Sequence, residues 1–207
     1  MRPPLSWNAP PDRPGWKAHM LAPLGRIYAG ITARRVAKPG YKAAIPVVCV
    51  GNLNLGGTGK TPTVIALIER FCRSGFDVHV VSRGYGGRLE GPVQVVERNH
   101  TAADVGDEPL LIAAFAPVWV SRDRAAGVRA AEAAGADLIV LDDGFQNPSV
   151  TKDFSIIVVD AVVGFGNGRV APAGPLREPV DAGMKRASAV LTIGEPAQIT
   201  RFLDQWR

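Results

Sequence analysis

The chain has 207 residues, 46% of them apolar, and a net charge of +5. That much apolar chain can bury a sizeable core in one domain, which excludes a disordered or fibrous protein. The two cysteines, Cys49 and Cys72, make no disulfide framework or zinc site and read as buried free thiols of a reducing cytosolic compartment.

The charge is unevenly spread. Residues 1–42 hold eight Lys or Arg (Arg2, Arg13, Lys17, Arg26, Arg34, Arg35, Lys38, Lys42) against one acid, Asp12, so this stretch is +7 and the remainder −2. Two regions follow: an N-terminal arm over 1–42 and a nucleotide-type domain over 43–207. No apolar stretch is long enough to span a bilayer, and the N-terminus lacks a signal-peptide core, so the chain is expected on the cytosolic side.

In chain order, residues 1–15, with Pro3, Pro4, Pro10, Pro11 and Pro14, read as an extended lead-in. From Trp16 a helix is expected. Trp16, Met20, Leu24, Ile27 and Ile31 share one stripe, widened by Leu21 and Tyr28, with a kink or restart at Pro23. Arg34, Arg35 and Lys38 close its end. An apolar face carrying Trp with basic flanks suits an anionic membrane surface, met by residues 16–38; a helix packed on its own domain shows the same pattern.

Ile45–Val50 reads as a buried strand entering Gly51-Asn52-Leu53-Asn54-Leu55-Gly56-Gly57-Thr58-Gly59-Lys60-Thr61. A helix follows, with Val64, Ile65, Leu67, Ile68, Phe71 and Cys72 at helical spacing and a stop at Ser74-Gly75. Strand, Gly-rich turn and helix make a phosphate loop. Gly56, Gly57 and Gly59 permit positive φ and a close approach of backbone amides to phosphate. Lys60 supplies a point charge to the β- and γ-phosphates, and Thr61 a hydroxyl to Mg²⁺. Asn54 stands where the strict pattern wants Gly, and Asn tolerates left-handed backbone better than most residues.

Residues 77–81 read as a second strand ending in Ser82-Arg83-Gly84-Tyr85-Gly86-Gly87. This is either a mobile loop at the ligand-binding sheet edge, from which Arg83 reaches phosphate, or a plain turn. Val93–Val96 and Pro117–Val120 are short strands. Gly106-Asp107-Glu108-Pro109 heads an apolar helix over 110–115, where acids would ordinarily complement the helix dipole. A helix over 123–134 precedes Leu138–Leu141, which runs into Asp142-Asp143-Gly144-Phe145-Gln146. An apolar strand ending in acids is a Walker B arrangement, and Ile156–Asp160 has the same form. The first is preferred, because adjacent carboxylates offer one direct metal contact and one supporting partner. Residues 161–181 hold no periodic element, and Arg177 and Glu178 are their only charged pair suited to an active site. A strand over 189–193 and a helix from Pro196 close the chain. The alternation implies an α/β fold of P-loop NTPase type: a mostly parallel sheet with helices on both faces, preceded by an amphipathic helix.

With these motifs in this order, the chain resembles the tetraacyldisaccharide 4′-kinases of lipid A biosynthesis, over essentially its whole length. The matching stretches are 51–53 with 56–62, 82–87, 106–109, 142–146 and Pro172-Ala173-Gly174-Pro175-Leu176-Arg177-Glu178-Pro179. The resemblance implies a peripheral lipid kinase at the cytoplasmic face of the bacterial inner membrane. It would transfer the ATP γ-phosphate to the 4′-hydroxyl of a tetraacyldisaccharide 1-phosphate. It further implies that Lys60 and the amides of Asn54, Leu55, Gly56, Gly57, Thr58 and Gly59 hold the phosphates. Thr61, Asp143 and Glu178 would bind Mg²⁺ with Asp142 in support, and Asp107 would act as general base. Family members continue into a second α/β domain carrying a His partnered with that Asp. His19, His79 and His100 match no such motif, so the chain reads as the family's N-terminal part. A membrane-associated P-loop ATPase switch is the rival, but such switches carry Lys where this chain has Leu55. A GTPase would need N-K-x-D, which is absent. A nucleic-acid partner is excluded because the positive charge lies on one helix and not along a groove.

Overall fold

The computed structural model describes residues 4–206. Met1, Arg2, Pro3 and Arg207 lie outside it, and with them Arg2 of the basic arm and Pro3 of the lead-in. A 3₁₀ turn, Leu5–Asn8, precedes α1 (Trp16–Val36), β1 (Val47–Gly51), α2 (Lys60–Arg73), β2 (Val78–Ser82) and β3 (Val93–Gln94). Then come α3 (Ala102–Val105), α4 (Asp107–Ile112), β4 (Val118–Val120), α5 (Arg124–Ala133), β5 (Leu138–Asp142) and β6 (Phe154–Asp160). The chain closes with α6 (Val180–Met184), β7 (Ala189–Ile193) and α7 (Pro196–Trp206). It folds as two compact units, one of Lys38–Gly51 and Lys60–Ser155, the other of the segment ending at Ala37, Asn52–Gly59 and the segment starting at Ile156.

The first unit is built on strands in the order β3-β4-β2-β5-β1. All are parallel to their neighbours except β3, which runs antiparallel to β4. Strands β1, β2 and β5 are buried along their whole length, as strands covered on both faces are. The steps β1 to β2 and β2 to β4 go one way along the sheet and β4 to β5 returns. Right-handed crossovers therefore put α2 and α4 on one face, where they touch, and α5 on the other. Helix α5 approaches closely at Gly127, where a Cβ would stand 2.8 Å from Val81 Cγ1 and 2.9 Å from Ser121 Cβ. Cys49 is buried in β1 and its thiol pushed up to about 11 by desolvation. Cys72, expected to be buried, is exposed, because α2 turns Thr63, Val64 and Ile68 inward instead.

In the second unit β6 and β7 pair in parallel, Ile156 opposite Ala189 through Asp160 opposite Ile193. Phe165 packs edge-on against Phe202 and Trp206 of α7, with ring centroids 5.5 and 5.0 Å away. Helix α1 runs continuously through Pro23 and buries Ala18, Gly25 and Thr32, a face of small residues. A Cβ on Gly25 would lie 2.8 Å from the Val170 carbonyl, which is why that face is small. The expected stripe points outward: Trp16, Met20, Leu24, Ile27 and Ile31 are all more than half exposed. The packed alternative is thereby corrected, since the helix docks by the face opposite its large side chains. The lead-in is likewise not simply extended, because residues 5–8 close a 3₁₀ turn.

Candidate active site

The acids lie at the C-terminal ends of the first unit's parallel strands, where open α/β sheets bind ligands. Register sets Val50 of β1 beside Asp142 of β5. Asp142 is 2% exposed; its Oδ2 accepts from Ser82 Oγ at 3.0 Å and its Oδ1 has no hydrogen-bond partner among the described residues. Burial pushes this carboxyl up to about 6, with the charges of Glu108 and Asp143 adding to the rise. Asp143 takes φ +48, the left-handed region, which aims its carboxylate back at α2. There Lys60, the first residue of α2, brings its Nζ to 3.8 Å from Asp143 Oδ1. Asp160, the other candidate acid, instead accepts the Val162 amide at 2.8 Å and caps its own turn.

Two contacts shape this corner that motif spacing does not show. Arg124, 3% exposed, donates to the carbonyls of Asp142 at 3.0 Å and Asp143 at 3.1 Å and so fixes the turn between them. Its only sequence signal is a basic residue just inside the N-cap Asp123. At Gly51 a Cβ would stand 2.5 Å from Phe145 Cβ, so the strand that feeds the phosphate loop must end in glycine where it meets the buried Phe145.

Loops 82–87 and 106–109 come together in the same unit. Gly84 and Gly106 have positive φ, and a Cβ on Gly106 would lie 2.6 Å from the Tyr85 carbonyl. A Cβ on Gly87 would lie 2.7 Å from the Asp104 carbonyl, so the glycines of the two motifs serve mutual backbone contact. Thr101 and Arg88 anchor the Asp104 carboxylate, holding it down at about 2. Arg83, Tyr85, Asp107 and Glu108 are left exposed on this platform.

The phosphate loop, Asn52–Gly59, belongs to the second unit. Asn52 Nδ2 donates to the Gly56 carbonyl at 2.9 Å and to Thr58 Oγ1 at 3.1 Å. The aperiodic segment 161–179 braces the loop from outside. Leu55 N–H donates to the Pro175 carbonyl at 2.7 Å, Arg177 N–H to the Leu53 carbonyl at 2.7 Å, and Arg177 Nε to the Asn54 carbonyl at 3.1 Å. Three expectations are corrected here. Asn54 does not take a left-handed backbone; it bridges to Leu176, and its buried amide donates to the Gly164 carbonyl at 2.9 Å. Of the loop glycines, Gly56 and Gly59 have positive φ and Gly57 does not. Leu55 has its amide committed to the Pro175 carbonyl, so it is not among the amides offered to an anion. Thr61 is half-buried in the first turn of α2. Glu178, 3% exposed, takes both oxygens to Arg186 Nη2, at 2.6 and 2.5 Å.

Comparison with known proteins places this architecture. A family model for tetraacyldisaccharide-1-P 4′-kinase matches residues 17–206. Over its full length the chain is 66% identical to the tetraacyldisaccharide 4′-kinase of Dinoroseobacter shibae and covers 61% of that protein. It is 58% identical to the enzyme of the same description from a Jannaschia species, covering 62% of it. The fold matches the crystal structure of the "apo" form of LpxK from Aquifex aeolicus in complex with ATP. The TM-score is 0.77 at 30% identity, over 88% of this chain and 60% of that one. The chain thus spans about three fifths of the length of these relatives. It belongs to the tetraacyldisaccharide-1-P 4′-kinase family.

Proposed function

We propose that the chain carries the ATP site of a lipid kinase that phosphorylates the 4′-hydroxyl of a tetraacyldisaccharide 1-phosphate. The observation that supports this reading best is the ammonium of Lys60 beside Asp143, at the end of a strand paired with the one that feeds the phosphate loop. In this reading the amides of Gly56, Gly57 and Thr58 and the Lys60 charge take the phosphates, and Arg83 reaches them from the platform of residues 82–87. Asp107, exposed at the start of α4, accepts the hydroxyl proton. The sugar oxygen bonds to the γ-phosphorus, the bond to the β,γ-bridging oxygen breaks, and ADP leaves. The site's work is positioning and charge neutralisation.

Mg²⁺ suits hard oxygen donors such as these, and the buried Asp142 Oδ1 has no hydrogen-bond partner among the described residues. Thr61, Asp143 and Glu178 would hold it with Asp142 in support, Glu178 sharing its charge with Arg186. When bound it neutralises charge on the β- and γ-phosphates. No described helix is long and apolar enough to cross a membrane. The outward stripe and basic end of α1 instead support seating on an anionic bilayer, as a peripheral protein at the cytoplasmic face of the inner membrane.

The test is a mass-spectrometric assay with Mg-ATP and tetraacyldisaccharide 1-phosphate in micelles, run on this chain and on a form extended to the length of its relatives. A product heavier by one phosphate, absent with Lys60→Ala, is expected. ATP hydrolysis without lipid phosphorylation at both lengths would overturn the reading in favour of a P-loop ATPase switch.

A further inference from the structure

We propose that the N-terminal turn Leu5–Asn8 is the base-binding wall of the nucleotide site, with Trp7 stacking on the adenine of ATP and Asn8 serving its polar edge or the ribose. The inference rests on the reading of 52–61 as a phosphate loop and adds a residue class and a segment that the motifs leave out. The family model begins only at residue 17, after this turn.

A cavity of about 550 Å³ opens on the phosphate loop. Its walls are residues 54–58 of the loop, Val163, Pro175, and Trp7 with Asn8. That volume lies inside the roughly 300–1,000 Å³ usual for cofactor sites, and its chemistry is what a nucleoside requires. One aromatic face and aliphatic Val163 and Pro175 suit a purine, the Asn8 amide offers a donor and an acceptor, and the loop glycines open toward phosphate. Added Cβ atoms on Gly56 and Gly57 would meet nothing among the described residues within 4 Å, so the loop leaves room there.

The turn is built into its place and does not merely rest there. The Trp7 indole N–H donates to the Pro172 carbonyl at 3.2 Å, which fixes the ring. Asn167, 1% exposed, donates its backbone N–H to the Trp7 carbonyl at 2.8 Å and its side-chain amide to the Ser6 carbonyl at 3.1 Å. Gly166, at φ +55, leaves no room for a side chain, since a Cβ would lie 2.4 Å from the Trp7 carbonyl. The segment that grips the turn is the one whose Pro175 carbonyl holds the Leu55 amide, so the aromatic wall and the phosphate loop share one scaffold.

Isothermal titration with ATP and with inorganic tripolyphosphate separates the base contribution from that of the phosphates. The proteins are the wild type, Trp7→Ala, Trp7→Phe and Lys60→Ala, each checked for native circular dichroism. Trp7→Ala is expected to weaken ATP roughly tenfold, the order that base–aromatic stacking carries. It should leave tripolyphosphate within about twofold, while Trp7→Phe recovers most of the ATP affinity. Equal ATP affinity in wild type and Trp7→Ala overturns the proposal, as does equal loss of both ligands, which would make the turn a brace only. If ATP binding depends on Lys60 and not on Trp7, this inference alone falls. If the wild type binds neither ligand, the phosphate-loop reading falls and takes this one with it.

Discussion

Asp142 shows how one position can cost stability and still be kept. Its carboxyl is buried, one oxygen answered by Ser82 and the other by no donor among the described residues, and desolvation lifts it to about 6. A raised carboxylate means that between about pH 4 and pH 6 the unfolded chain gives up this proton while the folded chain keeps it, so stability falls as pH rises through that window. The full term is on the order of 3 kcal/mol. Asp142→Asn removes it. Denaturant unfolding at a series of pH values should show the stability of wild type relative to Asp142→Asn declining from pH 4 to pH 7; parallel profiles would contradict the account. At this scale the sequence announced Asp142, Asp143, Lys60 and Thr61 through motif spacing. It named Ser82 only as part of a motif and gave Arg124 no role, because both act through contacts between distant segments, and it gave a wrong reason for Asn54. The tolerance at 54 comes from an extended bridge to Leu176 and a side-chain bond to Gly164, not from local backbone preference.

Among the elements, α1 was readable as a helix and unreadable as to which face packs. Large apolar residues at helical spacing ordinarily mark the buried side. Here the approach of Val170 to Gly25 admits only small residues, so the large stripe is turned outward. Leu24 and Ile27 are 53% and 61% exposed, and replacing both with Glu should leave circular dichroism and melting temperature close to wild type. The same change should cut co-sedimentation with anionic vesicles at least about tenfold, since apolar burial and headgroup attraction are both lost. Unchanged co-sedimentation would remove α1 from the membrane contact. The other elements followed from periodicity to within a few residues. Exceptions are the short α3, α6 and the 3₁₀ turn, too brief to leave a periodic trace.

On the scale of the whole molecule, charge is segregated: residues 1–42 are +7 and the rest −2. Binding to a bilayer should therefore need anionic lipid and weaken as salt rises from about 0.05 to 0.5 M, while the apolar stripe leaves a salt-resistant remainder. Equal partitioning onto neutral phosphatidylcholine vesicles at all salt concentrations would show that the basic arm takes no part.

The sequence by itself determined the α/β class, the strand and helix order, the phosphate loop and the paired acids. Each of these rests on local periodicity or on residue types at fixed spacing, and neighbours in the chain carry that information. Only the tertiary structure decided which side of α1 faces outward, and that the aperiodic segment 161–179 is the scaffold holding the phosphate loop and the Trp7 turn. It alone showed that Arg124 fastens the acid turn and that Glu178 is already paired with Arg186. Those outcomes depend on backbone approach and side-chain partnership between residues far apart in the chain, where spacing carries no signal.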